Sequence, residues 1–399
     1  MSGYIGTQPV PQATQTRDSF TATSGQTSFA TGGYTPNFLD VYLNGVKLAA
    51  ADYTATNGSD VVLASGAVVN DILEVVAYTA FDTANATASS GFTVTGNLSV
   101  DGGTIKLDGN YPAGTDNVAL GNTALDDGSL SGGYNTAVGA GSLSANTSGQ
   151  QNASLGAYSL DANTTGSYNA GFGQSSLGSN TTGSNNTGLG RGALSANTTA
   201  SNNTAVGYIA LTANTTGDRN TGIGAYALTD NTTGASNTAL GISAVQNNTS
   251  GTFNTGIGDR ALDVNTTGNY NTALGGFALK NTTTSNNTAV GYQAGYSNTT
   301  GAALTAIGHN ALRSSTTASN NVAVGQDSLF TLTTGTGNVV LGTAASRGMT
   351  TGNFNVVVGQ EALKSNTTAS ENTAVGYQAM FSNTTGTPNV AVGRQALRS

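Results

Sequence analysis

The stretch Asn203-Thr204-Ala205-Val206-Gly207-Tyr208-Ile209-Ala210-Leu211-Thr212-Ala213-Asn214-Thr215-Thr216-Gly217-Asp218-Arg219 decides the fold. It is one unit of a 17-residue repeat that covers about 70% of the chain. Units begin at 117, 135, 152, 169, 186, 203, 220, 237, 254, 271, 287, 304, 321, 338, 355, 372 and 389, seventeen in all. The first has 18 residues, the tenth 16, and the last is truncated. With the first residue as offset 0, Asn stands there in sixteen units, the exception being Leu304. Offset 3 is Val, Leu, Ile or Phe and offset 4 is Gly in all seventeen. Offset 7 is Ala or Ser, and offset 8 is apolar except at Gly295 and Ser346. Offsets 11 to 14 usually read Asn-Thr-Thr-Gly.

The charges test this register independently. All nineteen charged residues after position 116 fall at offsets 5, 6, 9, 10, 15 or 16. A charge avoids any position where it would be buried without a partner, so the other offsets are interior, interface or tight-turn positions. A 17-residue, Gly-punctuated, β-branched unit is too short for a helical repeat and fits one coil of a β-solenoid. We expect a strand at offsets 0–3, a Gly turn, a second strand around offsets 6–9 and an Asn-Thr-Thr-Gly return turn. Stacking at about 4.8 Å would run apolar ladders at offsets 3 and 8 and an amide-sharing Asn ladder at offset 0. Seventeen coils make a rod on the order of 80 Å. With two large apolar side chains per coil the core is thin. Small residues on a second uncharged face favour several solenoids packed together, three in our reading.

The chain before the repeat reads differently. Residues 1–82 form a small N-terminal β domain, and 83–116 a linker and short β connector ahead of the 117–399 solenoid. The fold class is therefore all-β. Val41-Tyr42-Leu43 and Val46-Lys47-Leu48 flank Asn44-Gly45, a strong hairpin signal, and a looser hairpin surrounds Asn57-Gly58. Ile72 to Tyr78 is an apolar strand interrupted by Glu74. Thr83 to Ser90 is a small-residue linker, and 92–100 and 104–107 read as short β segments.

Composition narrows the function classes. The 399 residues include 56 Gly, no Cys, no Trp and one His, with 8% charged. Ala, Gly, Thr and Asn stand where an α/β enzyme core needs Leu, Ile and Phe. Without Cys there are no disulfides or thiolate sites, and one His rules out His-based metal clusters. No apolar run approaches a membrane span, and Met1-Ser2-Gly3-Tyr4 opens no signal peptide. Residues 1–116 carry three cations against ten acids, and 117–399 nine against ten, which sums to the net −8. No basic stripe suited to nucleic acid stands out.

The run Asn-Thr-Ala-Val-Gly-x-x-Ala-Leu, with Asn-Thr-Thr-Gly between copies, resembles the repetitive shafts of bacteriophage tail fibres. It is also similar to the shorter head repeats of trimeric autotransporter adhesins. Phe38-Leu-Asp-Val-Tyr-Leu-Asn-Gly-Val-Lys-Leu48, followed by Asp52-Tyr53, looks like the head of fibre proteins from marine podoviruses and myoviruses. The resemblance implies a homotrimeric β-roll shaft on a virion, as a tail fibre or external appendage made in the host cytoplasm. It also implies an N-terminal part docked on other virion proteins through Phe38, Tyr42, Asn44 and Gly45, and a distal end facing a host receptor or glycan. A bacterial trimeric cell-surface adhesin is the alternative; the secretion signal and membrane anchor of that family are missing from this reading. A phage-type C-terminal chaperone is missing too, so Ser399 is expected to be a processed or partner-capped end.

Chemistry is sparse. His309 sits at a surface offset, Asp126-Asp127 and Asp259/Asp263 read as isolated surface acids, and Gly-x-Gly strings are repeat turns. We expect no enzyme activity, cofactor, metal, nucleic-acid partner or membrane insertion. An ice-binding solenoid would need flat Thr ladders, whereas the Thr pairs fall in turns. The remaining candidates are Tyr158, Tyr208, Tyr226, Tyr292 and Tyr377 at offsets 5 or 6, with Phe277 beside them. These either stack on glycan rings or cover neighbouring chains at a trimer interface.

Overall fold

Side chains on an extended backbone alternate sides, so a coil that buries Asn at offset 0 must also bury offset 2 and turn offsets 1 and 3 outward. That rule organises the computed structural model, which describes residues 13–80 and 115–398. Each coil contributes one three-residue strand at offsets 1–3, from Val118–Leu120 to Val390–Val392. Every strand pairs in parallel, in register, with the next, as in Thr204↔Thr221, Ala205↔Gly222 and Val206↔Ile223. The result is an open stack, and the all-β, 17-residue solenoid expected from the repeat is what forms.

Two expectations need correction. No second strand occupies offsets 6–9. Residues at offsets 6 and 8 take the left-handed conformation, as at Ile209 (φ 47°) and Leu211 (φ 52°), which breaks an extended run. Coils still bond there, Leu211 N–H to Ala227 C=O at 2.9 Å and Ala213 N–H to Thr229 C=O at 3.0 Å. The offset-3 ladder, expected inside, lies on the outside of the chain. Eleven of its seventeen side chains are exposed by 36–67%, and the other six are half-buried.

The interior is filled instead by small residues at offset 2, Ala or Ser at offset 7, the offset-8 Leu column and two Asn ladders. Offsets 2 and 7 meet across it, as in Ser142 Oγ to Ser154 Oγ at 2.7 Å. The offset-0 ladder forms as expected: Asn203 N–H donates to Asn186 Oδ1 at 3.0 Å, and Asn237 Nδ2 to Asn220 Oδ1 at 3.1 Å. The return turn supplies a second, unanticipated ladder at offset 11. Asn214 Nδ2 donates to Asn197 Oδ1 at 2.9 Å and to Gly217 C=O at 3.0 Å. All described charged residues of the shaft stay out of the interior, as their offsets required.

The N-terminal unit holds seven described strands: β1 (Ala13–Thr21), β2 (Gln26–Ala30), β3 (Leu39–Leu43), β4 (Val46–Lys47), β5 (Tyr53–Thr54), β6 (Asp60–Ala67) and β7 (Ile72–Ala80). They form a β1-β7-β3-β4 sheet and a β2-β6-β5 sheet over a core containing Phe29, Val41, Val61 and Leu73. Both hairpins form, the first with Asn44 at φ 49° and Gly45 at φ 79°, a two-residue turn suited to the strand twist. The linker and the 92–100 and 104–107 segments lie outside the described residues.

Candidate functional site

At the first hairpin, Phe38, Tyr42, Asn44 and Gly45, the four residues expected to dock, differ in what they do in the fold. Asn44 is structural: its Nδ2 donates to Asp71 Oδ1 at 2.8 Å, and its Oδ1 accepts from Ile72 N–H at 2.8 Å. That holds the Asp71 carboxyl below its usual range, through the Asn44 bond first and the Val68 N–H second. Gly45 completes the turn. Phe38 is 51% exposed, while Tyr42 is half-buried beside an Asp40–Lys47 ion pair of 2.7 Å, which Tyr78 OH joins at 3.0 Å. Around the Asn44–Asp71 bond, Val46, Val68, Val69 and Ile72 are exposed.

On the shaft, the five tyrosines are exposed but do not form one surface. Tyr208 meets Tyr226 edge-on at 5.6 Å, and Arg191 lies 5.7 Å from the Tyr208 ring centre. Tyr292 contacts Phe277 edge-on at 5.9 Å and stacks on the exposed His309 at 5.7 Å. Tyr377 carries Arg394 at 5.9 Å, and Tyr158 stands apart from these groups. Tyr158 and Tyr226 stand at the left-handed offset 6 and Tyr208, Tyr292 and Tyr377 at the preceding offset 5, all of them outside the interior.

A second column escaped the sequence reading. At offset 9 the last eight coils carry only cations or aromatic rings: Lys280, Arg313, Arg347, Lys364 and Arg398, with Tyr296, Phe330 and Phe381. The first nine coils carry there Asp126, Asp161, Asp263 or an uncharged Ser, Thr, Gly or Gln. Burial pushes the Asp161 and Asp263 carboxyls up, with Lys280 and Arg260 partly offsetting this at Asp263. Aligning the units by column, instead of seeking their invariant positions, reveals the pattern. Among the described residues, no three metal-ligating side chains gather. No protein-family model, curated protein or solved structure matches this chain.

Proposed function

We propose that this chain is a structural fibre protein of a phage virion, a homotrimer that attaches through its N-terminal β domain and extends its shaft towards the host surface. The observation that carries the reading is the outward apolar ladder at offset 3. Monomeric proteins rarely leave so long a continuous apolar strip in water. Full burial of a Val, Leu or Ile is worth about 1.5–3 kcal/mol, so covering these partly exposed residues contributes roughly 10–20 kcal/mol per chain. That exceeds most of the association cost of about 4–15 kcal/mol. A parallel bundle covers such ladders along their whole length, and a bundled shaft with a separate adhesive or docking unit suits a fibre.

Sedimentation should give a species of three chains, each of 39.5 kDa. Leu240→Asp with Leu274→Asp, both on the outward ladder, should shift it towards monomer while keeping the β circular-dichroism signal. A stable wild-type monomer would refute the bundle. Deleting residues 1–82 should leave a folded oligomer that no longer enters particles; normal incorporation would refute the docking assignment. The Tyr158, Tyr208, Tyr226, Tyr292 and Tyr377 positions would then serve either as host-facing contacts or as cover for neighbouring chains.

A further inference from the structure

The offset-9 column of coils 10–17 is built, not scattered. Lys280 lies 5.8 Å from the Tyr296 ring centre, and Arg313 sits 5.8 Å from Tyr296 and 5.6 Å from Phe330. Arg347 lies 5.3 Å from Phe330, Lys364 5.5 Å and Arg398 6.0 Å from Phe381. Each ring is therefore gripped by cations from neighbouring coils, which fixes long side chains that would otherwise lose entropy on binding. The backbone beneath is locked as well: Ser314 N–H donates to Phe330 C=O at 3.1 Å, Gly348 N–H to Lys364 C=O at 3.0 Å and Ser365 N–H to Phe381 C=O at 3.1 Å. Between Phe330, Arg347 and Lys364 opens a shallow groove of about 350 Å³, its floor formed by Gly348 with Thr331 and Ser365 at the rim.

Charge supports the same surface. Coils 1–9 hold three cations and seven acids, a balance of −4, and coils 10–17 hold six cations and three acids, a balance of +3. Of those three acids, Glu361 pairs with Lys364 at 2.6 Å. Offset 9 stands outside the three-residue strand, two residues past the offset-7 position that faces offset 2 across the interior, so a partner seated on the offset-3 ladder need not cover it.

We infer that this column binds a linear acidic polysaccharide, one bearing a carboxylate or sulfate on alternate sugars. Its cations recur mostly at every second coil, a spacing of about 9.6 Å. A disaccharide repeat with one charge matches that spacing. Nucleic acid does not, since a duplex strand presents a charge about every 3.4 Å. Single-stranded nucleic acid needs open ring faces for its bases, and here cations lie against the rings. The aromatic rings hold the cations, and the Ser365 hydroxyl beside the groove can bond a sugar hydroxyl, while Thr331 is engaged by the Arg347 and Met349 carbonyls.

The inference deepens, and rests on, the reading that the distal coils face a cell surface. Its test uses the isolated full-length chain, so a failure of particle attachment is separately visible. Binding to hyaluronan (one carboxylate per disaccharide), neutral dextran and oligothymidylate should be titrated at low and high salt. Hyaluronan should bind at low salt and release at high salt, with dextran inert and oligothymidylate weaker. Arg313→Gln with Arg347→Gln should weaken hyaluronan about tenfold. Arg313→Lys with Arg347→Lys should retain most binding, and Arg219→Gln, off the column, should change nothing. Failure of hyaluronan to bind, equal binding of dextran, tighter binding of oligothymidylate, or an equal loss in Arg219→Gln would each overturn the inference.

Discussion

Replacing Gly207 by Ala should divide the shaft's unfolding in two. Gly207 has φ +135°, a region L-residues rarely enter, and forcing a side chain there costs about 1–3 kcal/mol. Its new Cβ would also lie 2.6 Å from the Gly224 carbonyl oxygen and 2.7 Å from its carbon, where 3.4 Å is the start of ordinary contact. The next coil must then move by most of an ångström. The bonds resisting this are Gly207 N–H to Leu189 C=O and Gly224 N–H to Val206 C=O, both 2.8 Å, worth about 0.5–1.5 kcal/mol each. Together these give a local loss of about 3–5 kcal/mol. Because each coil touches only its neighbours, the loss weakens one junction and not the whole stack. Calorimetry should show a second, lower transition, and limited proteolysis a new cut near 207–224. Gly393 supplies the control. Its φ is +123°, but a Cβ there meets only Ala396 Cβ at 3.8 Å, so Gly393→Ala should cost the conformational part alone. Equal effects at the two sites, or an unchanged Gly207→Ala melt, would show that close stacking is not why Gly fills this column.

Asn214→Ala should cost about 2–3 kcal/mol in the same calorimetric assay, because it deletes a buried donor and leaves Asn197 Oδ1 without its partner; a smaller loss than for an exposed turn Asn would refute a ladder role. Asp263 makes a pH prediction. Desolvation raises its carboxyl above the unfolded value, so the native state holds its proton over a wider range, and stability falls as pH rises through the carboxylate region. Asp263→Asn keeps an acceptor for Asn247 Nδ2, so it should remove that slope and be the more stable protein at neutral pH. Thermal melts of both proteins across the acid range would decide it.

The repeat was legible because stacking demands the same residue at the same interior position, and identity at a fixed period survives in the sequence. What faced which way was harder. Large apolar residues at offset 3 suggest burial, but the structure buries the Asn at offset 0, and one strand cannot turn residues three apart to the same side. The buried Asn and the small residue at offset 2 were the better guides. The missing second strand depends on positive φ at a varied offset 6 and at the offset-8 Leu column, a conformation that Leu does not announce. In the N-terminal unit, Asn-Gly turns disclosed two hairpins, whereas β1 and β2 carry polar, Thr- and Ser-rich sequences with little alternation.

Variation is informative in such a stack because so little of it is permitted. Interior columns are held by amide ladders and close packing, so they change rarely and only to residues that still fit, while outward offsets vary from coil to coil. A change of character in an outward column therefore reports what lies outside. The offset-9 column changes at coil 10, the 16-residue unit, where Thr282 replaces the ladder Asn and leaves the buried Asn265 Oδ1 unpaired. Asn298 Nδ2 resumes on Thr282 Oγ1 at 2.9 Å, so stacking continues across the shortened coil. Beyond that coil the ladder is again interrupted, by Ser315, Leu332 and Met349, while the cation–aromatic column runs on unbroken. Interior order relaxes there and exterior order tightens. Coil stability alone gives no reason for this exchange, so a surface requirement on coils 10–17 is the better physical explanation.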